Sequence, residues 1–275
     1  MNDTHKGFGS RLRWWRERRG FSQIELAGAA ATTQRHLSFL ESGRAAPSRE
    51  MVLRLAAGLD LPLRQQNALL LAGGFAPAWR ESSLFAPGLA SVNSALDYML
   101  AQQEPYPGFV VDRRWNLLRA NAGAARLTEF LTGPVPPSVT PADPVNLAVA
   151  LVSPDGLRPF IVNWEEVALY FLRGVQADAM ADGTQATAEL LTRLLAFPGL
   201  PELSQALPPG EPEAPVLVIH FRSGDGTSLR LFTTIAILGT PHDVTLQEIR
   251  IECFFPVDEA SAHVFRSATP QRSAS

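Results

Sequence analysis

Gln34, Arg35, His36 and Ser38 fall on one side of a short segment whose spacing predicts a helix, and their types suit the reading of nucleic-acid bases. A guanidinium can pair bidentately with guanine and a carboxamide with adenine, both on the major-groove edge of a duplex. Residues near the start of such a helix are the ones that reach base edges. Leu37 and Leu40 recur on the other side at helical spacing and turn inward. Thr33, immediately before, can cap the helix and joins the candidate DNA-contacting set. Arg44, in the basic turn from Gly43 to Ser48, and Arg49 carry the charge needed to hold a phosphate backbone.

A helix that enters a groove must be held by others. Ser22 with Glu25 three residues on forms a capping box, and Leu26 and Ala27 follow on the buried side of a first short helix. The small Ala27 permits close approach of the second. Upstream, Gly9 to Gly20 reads as a helix with Leu12 and Trp15 facing in. Downstream, Arg49 to Leu59 carries the apolar stripe Val52, Leu55, Ala56 and Leu59. A bundle of about five helices is expected. Charge divides the chain accordingly. Residues 1–75 hold eleven Lys and Arg against six Asp and Glu, a net of +5, while the remainder holds thirteen against twenty-one, a net of −8. A basic first quarter on an acidic body suits phosphate neutralisation by one part only.

These residues carry a resemblance. The run from Leu12 to Pro62, and more loosely Phe8 to Leu63, resembles the Cro/repressor-like (XRE) helix-turn-helix domains. Ser22-Gln23 opens the second helix, Thr33-Gln34-Arg35 opens the recognition helix, and Glu41-x-Gly43 closes it. The resemblance implies a phosphate contact by Gln23, which also steadies Gln34. The turn departs from the pattern: Ala31 stands where such domains have glycine, and the left-handed conformation costs alanine roughly 1 kcal/mol more than glycine.

Beyond a linker rich in Pro, Ser and small residues, the chain changes style. Ser91 to Gln103 reads as helix, then Pro107 to Arg119 as strand, polar turn and strand, then Asn121 to Leu131 as helix. A proline-rich break from Pro134 to Pro144 precedes helical patterns at Val145 to Val152, Trp164 to Ala179 and Thr184 to Phe197. Strands are expected at Pro215 to Arg222, Thr227 to Leu238 and Thr245 to Phe255. This order resembles a PAS-like domain. More closely, PYPGFVVDRRWNLLRANAGAARL, RPFIVNWEEVALYFLRG and LRLFTTIAILGTPHDVTLQEIRIECFFPVDE resemble the ligand-binding domain of MmyB-like transcription regulators. The expected fold is α+β multidomain, an N-terminal all-α five-helix repressor-like domain followed by a C-terminal PAS-like five-stranded antiparallel sheet with helices. The expected divisions are 8–72 for DNA binding, 73–90 for the linker, 91–265 for ligand binding and dimerisation, and 266–275 for a disordered tail.

A helix-covered sheet leaves room for a small apolar ligand held by few polar groups. Phe160, Trp164, Tyr170, Phe171, Phe221 and Phe232 are candidate wall residues, and Ala168 is a position where a larger side chain would fill the space. The MmyB-like resemblance implies a fatty acid, whose carboxylate needs a cation or donor; Arg158, Arg173, His220 and Arg222 lie in or beside the relevant segments. Otherwise the chemistry is sparse. The five His show no metal-ligand spacing, the single Cys253 excludes an internal disulfide, and Gly224-Asp225-Gly226 is a hairpin turn and not a phosphate loop. No enzyme activity, metal or cofactor is expected beyond a bound fatty acid, and only His220 offers an axial ligand to a haem. No apolar run suits a signal peptide or membrane span, so a cytoplasmic protein is expected. The reading is a sequence-specific transcription regulator, a homodimer on an inverted-repeat operator of double-stranded DNA. The alternative is an antitoxin-like or phage-type regulator whose C-terminal part is a protein-interaction module.

Overall fold

The computed structural model describes residues 7–134, 145–205 and 216–266. The chain divides into two units, Met1–Ser83 with Thr240–Gln247, and Leu84–Gly239 with Glu248–Ser275. The first is helical: α1 (Phe8–Arg18), α2 (Gln23–Ala29), α3 (Gln34–Glu41), α4 (Arg49–Gly58) and α5 (Leu63–Ala72). Side chains set the helix starts. The Ser22 hydroxyl accepts from the Glu25 N–H while the Glu25 carboxylate accepts from the Ser22 N–H, and Thr33 and Ser48 accept from the N–H groups of His36 and Met51. Leu12, Leu26, Leu37, Leu40, Val52, Leu55, Leu69 and Leu70 are all fully buried around Trp15. Gly9 lets α1 cross α3 closely: a Cβ there would lie 2.5 Å from the carbonyl oxygens of Leu40 and Glu41. Ala31 takes φ +50° in the turn between α2 and α3, so the left-handed position is filled by alanine after all.

The second unit is the α+β part expected from the sequence. Its elements are α6 (Ala90–Gln102), β1 (Gly108–Val111), β2 (Leu117–Ala120), α7 (Ala122–Thr132), α8 (Leu147–Val152), α9 (Trp164–Asp182), α10 (Gln185–Leu195) and α11 (Leu200–Gln205). They continue through β3 (Val218–Arg222), β4 (Ser228–Ile237), β5 (Arg250–Pro256) and α13 (Glu259–Arg266), while α12 (Val244–Glu248), between β4 and β5, belongs but for its last residue to the first unit. The five strands form one antiparallel sheet in the order β2-β1-β5-β4-β3. Asn121 opens α7 and ties it to β1. Its side-chain oxygen accepts from the N–H groups of Ala124 and Gly108, and its amide donates to the carbonyls of Leu100 and Tyr106. The proline-rich break, but for Pro134, and the tail from residue 267 lie outside the described residues.

The stretch from Thr245 reads as strand in sequence, but Val244–Glu248 is helical and β5 begins only at Arg250. The cause is local. The Asp243 carboxylate accepts from the Thr245 N–H at 2.9 Å, satisfying a first-turn donor as an N-cap does. Residues 240–247 belong to the helical unit, where they serve its C-terminal edge. The Gln247 Oε1 accepts from the Leu63 N–H at 2.7 Å, at the start of α5, which has no side-chain cap of its own. The Thr245 hydroxyl donates to the Ser82 carbonyl at 2.7 Å, the Val244 N–H to the Arg80 carbonyl at 2.8 Å, and His242 stacks on Trp79 at 6.1 Å between ring centroids.

Candidate functional site

Each unit carries one candidate site. In the helical unit, Thr33, Gln34 and Arg35 are exposed at the start of α3, His36 and Ser38 are half-buried, and Arg44 and Arg49 are exposed just beyond its end. The Arg35 guanidinium lies 5.4 Å from the centre of the Phe39 ring, four residues on, so it is held along the helix while its donors remain free to face outward. Beneath this face sits an ion pair absent from the sequence reading. Arg16 on α1 donates through Nε to the Glu41 Oε1 at 2.6 Å and through Nη2 to Oε2 at 3.2 Å, and its Nη1 reaches the Phe21 carbonyl at 2.8 Å. The Gln23 amide donates to the same Glu41 carboxylate at 2.8 Å. Gln23, for which the resemblance implies a phosphate contact and a steadying role beside Gln34, is itself held by the closing residue of α3. The signal was present in the sequence as Glu41-x-Gly43, but its partner lies 25 residues away, beyond any helical spacing.

In the second unit, a cavity of about 560 Å³ opens between one face of the sheet and helices α7, α8 and α9. Strand alternation supplies the sheet side: Phe109 from β1, Arg250, Glu252 and Phe254 from β5, Thr233 and Ile235 from β4, and Ile219 and Phe221 from β3. The helices add Leu127, Leu147, Leu151, Val167, Tyr170, Phe171, Arg173, Gly174, Ala177 and Asp178, and Trp115 comes from the turn before β2. The wall is thus mainly aliphatic and aromatic, with a few polar groups together.

Of the sequence-predicted ligand residues, Tyr170, Phe171, Arg173 and Phe221 line this cavity, while Phe160, Trp164, Arg158, His220 and Phe232 do not. The reasons are geometric. His220 and Phe221 are neighbours on one strand and must face opposite sides of the sheet. Phe232 alternates with Thr233 in the same way and stacks on Phe255 at 5.4 Å on the other face. Arg158 lies over the Trp164 ring at 3.6 Å and donates to the Pro198 carbonyl at 2.6 Å. Ala168 is fully buried in the core but not in the cavity wall. The corresponding open positions on α9 are Gly174 and Ala177.

The polar residues that the sequence reading missed come from β5 and its neighbours. Arg250 donates to Asp178 at 2.6 Å, and the Thr233 hydroxyl donates to Glu252 at 2.9 Å. Burial pushes the Glu252 carboxyl up to about 7, against the opposing pull of the Thr233 hydroxyl and the Arg250 charge. Next to it, Cys253 is a half-buried thiol whose pKa burial raises further. The alternation Arg250-x-Glu252-x-Phe254 was the available signal, but which side of β5 faces the helices depends on its pairing with β1 and β4 and cannot be read from the strand alone. Among the described residues no group of three or more His, Cys, Asp or Glu is placed to hold a metal ion, and no helix is long and apolar enough to cross a membrane.

Comparison with known proteins assigns both parts. Residues 8–69 match a family model described as a helix-turn-helix domain, and residues 92–268 match one described as the MmyB-like transcription regulator ligand binding domain. No curated protein matches. Among solved structures the chain is similar to an RNA-binding Light-Oxygen-Voltage receptor at 13% identity and a TM-score of 0.30, over 94% of this chain and 62% of that one. A likeness that low bears on neither ligand nor partner.

Proposed function

The chain belongs to the MmyB-like transcription regulators, a ligand-sensing DNA-binding class, and from that premise we propose how its two sites divide the work. The helical unit reads an inverted-repeat operator as part of a homodimer, with Gln34 and Arg35 at base edges and Gln23, Arg44 and Arg49 on the backbone. One short recognition helix touches few base pairs, and two-fold pairing doubles the site with half-sites roughly one helical turn apart, about 34–36 Å. The second unit takes up an aliphatic ligand of the fatty-acid class, and its occupancy changes operator affinity.

The observation that carries this reading is the 560 Å³ cavity, within the size range of small-molecule sites and lined chiefly by Leu, Ile, Val and Phe. Apolar side chains turned into a cavity favour a small ligand over a protein-interaction module, which would need them on an exposed patch. The test is extraction of the purified protein with organic solvent and identification of any lipid by mass spectrometry. Operator affinity is then measured with and without a long-chain fatty acid. The reading expects a shift; independently confirmed acid binding with unchanged operator affinity would refute the coupling. A monomer by light scattering that still binds a single half-site tightly would refute the dimer.

A further inference from the structure

Glu252 sits within the sheet, opposite Phe109 on β1 and Ile235 on β4, and all three line the cavity. The residue is only 7% exposed. Its Oε1 accepts from the Thr233 hydroxyl at 2.9 Å, and its Oε2 has no partner among the described residues. That second oxygen is not sealed in. Among the described residues, the enclosed side-chain atoms without a partner belong to Arg11, Arg19, Arg54, Arg113, Trp115 and Arg126. Oε2 therefore keeps open surface, and the space that Glu252 borders is the cavity.

A carboxyl among apolar side chains is costly unless its oxygens are paired. Thr233 serves one of the two. The neighbouring charges do not serve the other, since Arg250 is turned to Asp178, to which it donates at 2.6 Å. Arg173, Arg250, Asp178 and Glu252 are the charged residues on the wall, two of each sign. With all four ionised, the wall has no surplus charge to hold an ionised head group.

We propose that the Glu252 Oε2 binds a hydroxyl group carried by an aliphatic ligand. Burial raises this carboxyl to about 7, so near neutrality it is present both with and without its proton. A hydroxyl suits both forms, donating to the carboxylate and accepting from the acid. An ammonium pairs only with the ionised form, and an ionised carboxylate is repelled by it. The apolar wall around Leu127, Leu147, Leu151 and Val167 takes the chain. The proposal rests on the aliphatic-ligand reading above and adds a hydroxyl, a group separate from any carboxylate.

The test uses the full chain, with 1-decanol, decylamine and decane displacing the dye N-phenyl-1-naphthylamine. Glu252→Leu is expected to weaken 1-decanol by about tenfold and to leave decane no weaker. Glu252→Gln, whose amide both donates and accepts, is expected to keep 1-decanol at the parent's affinity. Equal losses of 1-decanol and decane would mark a packing defect, and no loss of 1-decanol would leave Oε2 to water. A loss confined to decylamine, or a Gln variant as weak for 1-decanol as the Leu variant, would mean that charge holds the head group. Each of these results overturns the proposal. If no probe displaces the dye from the parent protein, the aliphatic-ligand reading fails and this proposal with it.

Discussion

Arg35 and Arg44 are both exposed arginines within ten residues, and the fold gives them different surroundings: one on the face of α3, the other in the turn beyond it. Arg35→Ala is expected to lower affinity for a selected operator by about 1–3 kcal/mol and to relax base preference, measured by anisotropy on operator and random duplexes. Arg44→Ala should weaken both duplexes alike and reduce the salt slope by about one. Equal losses from Arg35→Ala on the two duplexes would remove it from the base-reading set. Glu252 makes the second residue-scale case. Its pKa in the folded chain lies near 7, above the ordinary 4.5, so the folded state keeps a proton that the unfolded chain gives up between those values. Stability therefore falls as pH rises from about 4.5 to 7 and levels off above that. Glu252→Gln removes the decline, so the variant should gain on the parent by on the order of 2 kcal/mol between pH 4.5 and pH 8 in urea titrations. A constant difference across that range would show that Glu252 titrates normally.

Elements decide which residues can act together. In the turn between α2 and α3, Ala31→Gly relieves the left-handed alanine and should raise the urea midpoint by an amount corresponding to roughly 1 kcal/mol, with operator contacts untouched. On α9, a Cβ added at Gly174 would meet nothing within 4 Å, and the residue lines the cavity. Gly174→Phe should therefore block uptake of an aliphatic probe without loss of thermal stability, because the helix gains a better former while the cavity fills. Retained probe binding would mean that the side chain points elsewhere. The helical unit was legible in the sequence because its information is local: capping serines and threonines, an apolar rhythm at helical spacing, and glycines after α1, α3 and α5. The cavity was only half legible. Period-two alternation alone separates Phe221 from His220, and Thr233 from Phe232, yet choosing the inward set requires the register across four strands. Asp243 turning Thr245 into a helix start overrode a stretch whose apolar pattern reads equally well as strand.

At the scale of the molecule, a ligand can alter operator affinity only by its differential affinity for two arrangements of the chain, typically 1–3 kcal/mol between coupled sites. The strands that carry Thr233, Ile235, Arg250 and Glu252 are joined through residues 240–247, which are built into the helical unit. The sequence holds no hint of this, since the bonds from Gln247 to Leu63 and from Thr245 to Ser82 span more than 160 residues. The chain therefore passes between its units three times, not once. The reading head is consequently not a cassette. A gene fusion that transplants residues 1–83 onto a foreign sensor leaves behind the piece that finishes it: α5 loses the Gln247 acceptor at its first turn, and Trp79 loses the His242 ring. Such a fragment should melt below the head of the intact protein by calorimetry, and adding 240–247 back through a short tether should recover part of the difference. Evolution faces the same arithmetic as the engineer. Exchange of either half between regulators requires three coordinated crossovers, which binds the history of this reader to that of its sensor.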